Sequence, residues 1–231
     1  MKLLQHVYLL AAATVSLGFA ASANATPFTV TTSNQGGATF DASAGAPGLN
    51  AGITASFNYT GPLTFNDSAP ENSSNTGDLN SNFFLAANMT GYSGSGTLGA
   101  PSNADFSTLA SFLASSGSAA GYQYGSFYTI DLGILAAGTL LTITHDDGMS
   151  IYQGGVREGT TTSGPTSQVT ESVTLTSTDD TILYYARENG TPSILELTET
   201  APAGVPEPTS LALLGTGLLS FGWLKRRRRQ T

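Results

Sequence analysis

Residues 137–155 read AGTLLTITHDDGMSIYQGG, and this stretch decides the fold class. Apolar and polar residues alternate through Leu141 and Ile143, and the alternation resumes after Met149, which is the period of half-buried β-strands. Asp and Gly tolerate the backbone angles of tight turns, so the Asp-Asp-Gly triplet at 146–148 predicts a turn. The stretch therefore predicts a strand, an acidic turn and a second strand.

The sequence on both sides of this stretch continues the pattern. It is rich in Gly, Ser, Thr and Asn, a composition that disfavours long helices. Short alternating runs bounded by turn residues predict nine strands: Phe28–Thr32, Ile53–Tyr59, Phe83–Met89, Phe127–Asp131, Thr139–Thr144, Met149–Gln153, Val169–Thr176, Thr181–Arg187 and Ser193–Thr198. One helix is predicted at Asp105–Ala114, capped by Asp105 or Asn103, and loops are predicted at 66–79, 91–103 and 115–121. We therefore predict an all-β antiparallel sandwich with at most one short helix.

A resemblance to a known family rests on the same triplet. A strand, Asp-Asp-Gly and a strand ending in Gly are followed by residues 182–197, ILYYARENGTPSILEL. This order resembles the PA14 family of β-sandwich domains and its GLEYA and flocculin-type adhesin relatives. The resemblance spans roughly residues 127–198 and leaves the role of residues 26–126 open.

The resemblance implies a candidate metal site. In sugar-binding members, paired aspartates joined by a cis peptide bond chelate Ca²⁺, and the ion holds vicinal hydroxyls of a sugar. The matching residues here are Asp146 and Asp147, and Asp179, Asp180 and Asn189 are candidates for further ligands. The alternative interpretation is that Asp-Asp-Gly is a turn and nothing more.

The sequence gives little support for a catalytic role. His145 is the only histidine left once a signal peptide is removed, and no G-x-S-x-G nucleophile motif accompanies it. We predict that His145 is an exposed residue beside the turn, that Asp179-Asp180 is a turn, and that the protein is not an enzyme. Aromatic residues in strands usually fill a core, so we expect core positions for Tyr122, Tyr124, Phe127 and Tyr128, and opposite sheet faces for Tyr184 and Tyr185.

The C-terminal end, residues 205–231, reads VPEPTSLALLGTGLLSFGWLKRRRRQT. An apolar run can enter a bilayer while a basic cluster remains on the cytoplasmic side. The order of triplet, apolar run and basic cluster resembles the PEP-CTERM sorting signal of Gram-negative bacteria that secrete exopolysaccharide. The sorting motif is Pro206, Glu207 and Pro208, and the basic anchor is Lys225, Arg226, Arg227, Arg228 and Arg229.

The tail resemblance implies a route. An exosortase, a membrane transpeptidase-like enzyme, recognises such tails, cuts near the triplet and thereby releases the protein from the inner membrane. A permanent short anchor is the alternative. The N-terminal end has Lys2, an apolar run and the small-residue pattern at 23–25, which predict a cleaved signal peptide and export by the Sec translocon; an uncleaved anchor helix is the alternative there.

These signals divide the chain into four parts. We predict a signal peptide at 1–25, a secreted β-sandwich domain at 26–201, a Pro-rich linker with the PEP motif at 202–208, and a transmembrane helix with its basic tail at 209–231. Between residues 26 and 205 only Arg157 and Arg187 are basic, against fifteen acidic residues, so the net charge is −13. Such a surface repels nucleic acid and attracts cations.

Two functions follow as expectations. The first is a non-enzymatic structural or adhesive protein of the cell surface or the exopolysaccharide matrix. The second is a Ca²⁺-dependent carbohydrate-binding module that uses Asp146 and Asp147. Calcium is the one candidate cofactor, and the absence of cysteine excludes disulfides and Cys-based metal sites.

Overall fold

A computed structural model of the chain describes residues 27–36, 41–46, 52–67, 79–99, 104–116, 124–188 and 192–202. The predicted signal peptide, the PEP motif and the predicted C-terminal helix lie outside these ranges. Among the residues that are described, no helix is long and apolar enough to cross a membrane.

The described residues form antiparallel strands, one short α-helix and two 3₁₀ turns. The strands are β1 (Phe28–Gly36), β2 (Ile53–Tyr59), β3 (Thr64–Asp67), β4 (Met89–Ser95), β5 (Tyr124–Leu135), β6 (Leu140–Asp146), β7 (Met149–Gln153), β8 (Val156–Glu158), β9 (Val169–Thr174), β10 (Asp179–Arg187) and β11 (Ser193–Thr200). The helix is α1 (Leu109–Leu113), and the 3₁₀ turns are Asn80–Asn82 and Ala86–Asn88.

Two sheets face each other. The seven-stranded sheet has the order β4-β2-β1-β5-β10-β7-β8, and the four-stranded sheet has the order β3-β11-β6-β9. Inward-facing residues alternate with outward-facing ones along the strands, as in β2, where every second residue from Ile53 to Tyr59 is buried. The predicted all-β antiparallel sandwich is therefore confirmed.

Residues 26–126, whose role the sequence leaves open, contribute to both sheets. Strands β1, β2 and β4 belong to the larger sheet, and β3 belongs to the smaller one. Phe84 lies in the aromatic core between them, with its ring centroid 4.9 Å from those of Phe57 and Phe65. It also packs 5.8 Å from Tyr128 of β5, so both halves of the chain share one core.

The predicted strand Phe83–Met89 is wrong. The chain passes instead through the turn Ala86–Asn88, and β4 begins at Met89. Phe83 and Phe84 are both buried although they are consecutive, which the alternation of a strand does not allow. The loop predicted at 91–103 is also wrong in its first part, because residues 91–95 belong to strand β4, in which residues 93–95 pair with β2. Strands β3 and β8 were not predicted.

The predicted helix is shorter than expected. Its cap is Thr108, whose hydroxyl accepts a hydrogen bond from the Ser111 amide, while the Ser111 hydroxyl accepts from the Thr108 amide. This reciprocal pair is a capping box, which fixes the start of a helix. Asp105 is not the cap, because its carboxylate accepts from the amide of Ser107 instead, and the predicted alternative Asn103 lies outside the described residues.

A wholly buried arginine joins the two halves of the core. Arg187 of β10 is 0% exposed, and its guanidinium carbon lies 4.1 Å above the ring centroid of Phe83. It donates to the Ser193 hydroxyl at 3.2 Å, to the Tyr128 hydroxyl at 3.3 Å and to the Asn80 carbonyl oxygen at 3.5 Å. These contacts tie the segment at 80–83 to β5, β10 and β11.

The described domain has two distinct ends. Strand β11 pairs with β6 from Ile194 opposite Asp146 to Thr200 opposite Leu140. Six residues of strand span about 20 Å, so Thr200 lies about that far from Asp146. Phe28 and Glu199 line one apolar cavity of about 360 Å³, and this places the first strand beside the end of the last one. Both ends of the described domain therefore lie away from the Asp-Asp-Gly turn.

Candidate functional site

The acidic turn crosses one end of the sandwich. Strand β6, which ends at Asp146, belongs to the four-stranded sheet, whereas β7, which begins at Met149, belongs to the seven-stranded sheet. The turn is thus a bridge between sheets. The peptide bond between Asp146 and Asp147 is cis, the conformation that the PA14 resemblance implies.

Neighbouring backbone holds the turn in place. A Cβ on Gly148 would lie 2.0 Å from the Ser163 carbonyl oxygen, so the loop at 159–168 packs closely only against glycine. The Met149 amide donates to the Thr162 carbonyl at 2.7 Å, and the Ala186 amide donates to the Gly148 carbonyl at 2.9 Å. Glycine at position 148 is therefore required by the packing of this loop as well as by the turn.

The two aspartates are buried, at 7% exposure for Asp146 and 4% for Asp147. The Asp147 carboxylate accepts a hydrogen bond of 2.7 Å from the Glu188 amide. Burial raises the pKa of Asp147 to about 8, with the charges of Asp146 and Glu188 adding to the effect and the amides of Glu188 and Thr166 opposing it. Burial also raises the pKa of Asp146, against a backbone donor from Gln168 and the proximity of His145.

Glu188 is the site residue that the sequence did not indicate. It is 1% exposed, and its charge is one of those that raise the pKa of Asp147. It directly follows β10 and is separated from Asp147 by 41 positions in the chain. The signal that could have found it is the run ARENG, in which an acidic residue follows a buried strand at the predicted closing hairpin.

The prediction that His145 is exposed is wrong, because the residue is 0% exposed. Its Nδ1 lies 2.6 Å from the Asp147 carbonyl oxygen, and its Nε2 lies 3.1 Å from a carboxylate oxygen of Glu171. Both neighbours are hydrogen-bond acceptors, so the ring is held between the backbone of the turn and Glu171. His145 thereby supports the backbone of the turn from beneath.

Glu171 continues this support into the covering loop. Its carboxylate accepts from the Thr162 amide at 3.0 and 3.1 Å and from the Thr162 hydroxyl at 2.9 Å. Partial burial acts to raise the pKa of Glu171, but the Thr162 donors and His145 outweigh it and lower that pKa. A chain of contacts therefore runs from the covering loop through Glu171 and His145 to Asp147.

The structure separates the other candidate ligands from this site. Asp179 and Asp180 begin β10 instead of forming the predicted turn, and they pair with Leu135 and Ile134 at the far end of the strand. Eight residues of strand separate Asp179 from Arg187, about 27 Å. Neither aspartate can therefore share an ion with Asp147, and Asn189 lies outside the described residues.

The chemistry of the turn fits a hard cation. Asp146 and Asp147 carry carboxylate oxygens, and Ca²⁺ takes six to eight oxygen ligands. Within the described ranges, no group of three or more His, Asp or Glu side chains is arranged to hold a metal ion. Backbone carbonyls, amide side chains or water would have to complete the shell around Asp146 and Asp147.

The predicted aromatic positions are confirmed where they are described. Phe127 and Tyr128 are both 1% exposed, although on opposite faces of β5. Tyr185 is buried and donates to the Asp146 carbonyl oxygen at 2.5 Å, whereas Tyr184 faces outward and is half-buried. The side chains of Tyr122 and Tyr124 lie outside the described residues.

Comparison with known proteins supports the tail. The family model of the PEP-CTERM protein-sorting motif matches residues 204–229, which confirms the predicted sorting signal. Proteins with this signal are exported to the cell envelope or surface of Gram-negative bacteria. No curated protein matches the chain.

Two solved structures are similar to the folded part. The PA14 domain of the MpAFP antifreeze protein is 14% identical with a TM-score of 0.40, and the match covers 77% of this chain and 84% of that one. The PA14 sugar-binding domain from an RTX adhesin is 13% identical with a TM-score of 0.43, and the match covers 75% of this chain and 89% of that one.

Proposed function

We propose that the exported domain is a non-enzymatic adhesive or structural protein of the cell surface or the exopolysaccharide matrix, with the turn at 146–148 as its binding site. The observation that supports this is the placement of the turn. It lies at one end of the sandwich, while Phe28 and Glu199 lie together at the other. A domain held by its C-terminal end would present the turn outward.

A second candidate function, Ca²⁺-dependent carbohydrate binding, has support of its own in the charges of the turn. Burial raises the pKa of Asp147 and the charges of Asp146 and Glu188 add to the effect, so a bound cation would stabilise the charged form. Asp146 and Asp147 would hold the ion, which would offer open coordination positions to the hydroxyls of a sugar. The chain's own residues, His145 and Glu188, would fix the orientation of the turn.

Thermal unfolding of the exported protein, with Ca²⁺ and with chelator, tests the metal site. At a Ca²⁺ concentration one hundred times its Kd, we expect a gain of about 2.7 kcal/mol in the free energy of unfolding. We expect Asp146→Ala with Asp147→Ala, and the isosteric double Asn variant, to lose this gain. Asp179→Ala with Asp180→Ala is the matched control, because that pair lies at the other end of β10, and it should keep the gain.

Equal Ca²⁺ stabilisation of the wild type and the 146/147 variants would place the ion elsewhere and contradict the assignment. A gain confined to the wild type and the 179/180 control justifies a glycan screen in Ca²⁺. Retained glycan binding in chelator would contradict the carbohydrate mechanism through the ion. The adhesive role would then need a different surface.

The sorting signal makes a separate prediction. Replacing Pro206, Glu207 and Pro208 with alanine should leave the precursor in the inner membrane, because the exosortase would no longer recognise the triplet. Cell fractionation and immunoblotting measure this, and Pro202→Ala in the same linker is the control expected to be released normally. Normal release of the triple variant would refute exosortase processing at this motif.

A further inference from the structure

The outer face of the seven-stranded sheet carries a straight row of hydroxyl residues. Register places Ser93 of β4 opposite Ser56 of β2, Ser56 opposite Thr31 of β1, and Thr31 opposite Thr129 of β5. Thr129 is in turn opposite Tyr184 of β10. Five neighbouring strands thus contribute one outward residue each, and the row is about 19 Å long at the usual strand spacing.

All five residues of this hydroxyl row are at least partly exposed. The next position along the row, Ser150 of β7, is buried, and its hydroxyl donates to the Ala42 carbonyl. Ala42 also packs on Phe127 and Ala186, with Tyr184 against the same cluster. Among the described residues, the segment at 41–46 therefore closes one end of the row.

The open end of the row is a groove. A concavity of about 320 Å³ is lined by three row residues and their neighbours: Thr31, Thr54, Ala55, Ser56, Ser93, Gly94 and Ser95. Five of these seven residues bear hydroxyls, and none of them is charged. At the closed end, the Tyr184 ring meets that of Tyr152 edge-on, with centroids 5.4 Å apart and an interplanar angle of 89°.

We propose that the hydroxyl row is a docking surface for an extended, uncharged polysaccharide, independent of metal and separate from the turn at 146–148. The net charge of the domain favours an uncharged ligand. The region between residues 26 and 205 has a net charge of −13, which repels polyanions such as nucleic acids and acidic glycans. An uncharged polymer rich in hydroxyls meets no such repulsion, and it can exchange hydrogen bonds with serine and threonine along the whole row.

The shape of the surface fits the same occupant. The register repeats the hydroxyls at the strand spacing, so a linear polymer can lie across β4, β2, β1 and β5. The groove that the row shares is lined by neutral residues only. The tyrosine at the closed end provides a ring on which the apolar face of a sugar can rest.

The test uses the full exported protein in chelator, so that the turn at 146–148 cannot bind through an ion. The probe is the neutral fraction of the polysaccharide shed by the producing cells, separated from the acidic fraction by anion exchange and freed of protein. Binding is measured by co-sedimentation. Thr31→Val with Thr129→Val removes two hydroxyls at constant shape, so we expect about tenfold weaker binding from the loss of their hydrogen bonds.

The matched control is Thr142→Val with Thr170→Val on the outer face of the other sheet, where both threonines form cross-strand pairs in β6 and β9. It should bind within twofold of the wild type.

The proposal is overturned if the wild type does not bind the neutral fraction in chelator, if it binds only the acidic fraction, or if the 31/129 variant binds equally well. A dimer that the 31/129 variant abolishes would assign the face to a second copy instead. A negative result for the hydroxyl row leaves the Ca²⁺ result at the turn unaffected. A negative Ca²⁺ result likewise leaves the hydroxyl row unaffected.

Discussion

Arg187→Ala is expected to lower the free energy of unfolding by about 3–5 kcal/mol, the range for removing one partner of a buried charged network. The substitution removes the guanidinium that packs on Phe83 and leaves polar atoms of Asn80, Tyr128 and Ser193 with fewer partners. It also opens a cavity, because the arginine is 0% exposed. For a domain of this size, the melting temperature should fall by roughly 6–20 °C.

The chain offers a matched control for this experiment. Arg157 is the other arginine between residues 26 and 205, and it is exposed on β8, where it donates to the Thr161 carbonyl at 2.7 Å. Arg157→Ala should cost less than about 1 kcal/mol. Arg187→Lys keeps the charge but loses the planar fork, so it should fall between the two alanine variants. Equal melting temperatures for Arg157→Ala and Arg187→Ala would contradict the role of Arg187 in the core.

Asp147→Asn is expected to stabilise the protein in chelator at pH 8, by about 2–4 kcal/mol. An acid whose folded pKa is raised binds its proton more tightly in the folded state. Its effect on stability is absent below the ordinary Asp pKa of about 3.9. Stability then falls as the pH rises, until the folded pKa of about 8 is passed. Asparagine carries no charge, and its carbonyl oxygen can still accept from the Glu188 amide.

The comparison between wild type and variant isolates Asp147 from other titrating groups. Asp146, Glu188 and His145 face it in both proteins, and Glu171, whose pKa is lowered, acts in the acid range in both. Denaturant unfolding at pH 4 and pH 8 measures the difference, which should be near zero at pH 4 and largest at pH 8. Glu199→Gln, at an exposed carboxyl of β11, is the control that should show no such rise. A variant less stable than the wild type at pH 8 would contradict the raised pKa.

Calcium should offset the lower stability of the wild type at pH 8 if the proposed site binds it. The wild type would gain stability from the ion at pH 8, whereas Asp147→Asn would gain little, because it lacks one of the two carboxylates. The same pair of proteins thus reports both the electrostatic cost of the turn and its relief by a cation.

Strands were predictable where one face is apolar. Ile53–Tyr59 and Met149–Gln153 have the predicted boundaries, since burial on one face imposes the period of two on the residues themselves. Strand β4, with the sequence MTGYSGS, carries no such period and becomes a strand because β2 offers it a partner. The prediction of a strand at Phe83–Met89 was wrong for the opposite reason. Its sequence is apolar, but the buried residues fill the core from a turn.

The candidate site was predictable only where it is local. The turn at 146–148 could be identified because its three residues are adjacent and their backbone preferences are known. The positions of Glu188 and Glu171 could not, because they reach the turn through the pairing of β10 with β7 and of β9 with β6. Burial of His145 depends on the same pairings, and a lone histidine beside a turn gives no sign of them.

The register of β11 against β6 has a mechanical consequence. Asp146 lies opposite Ile194, and the chain leaves the domain at the other end of the same ladder, beyond Thr200 opposite Leu140. A load applied between a ligand at Asp146 and a tether after residue 202 would pull these two strands along their length in opposite directions. The hydrogen bonds along the seven opposed pairs would then bear the load together in shear. They would not break one after another.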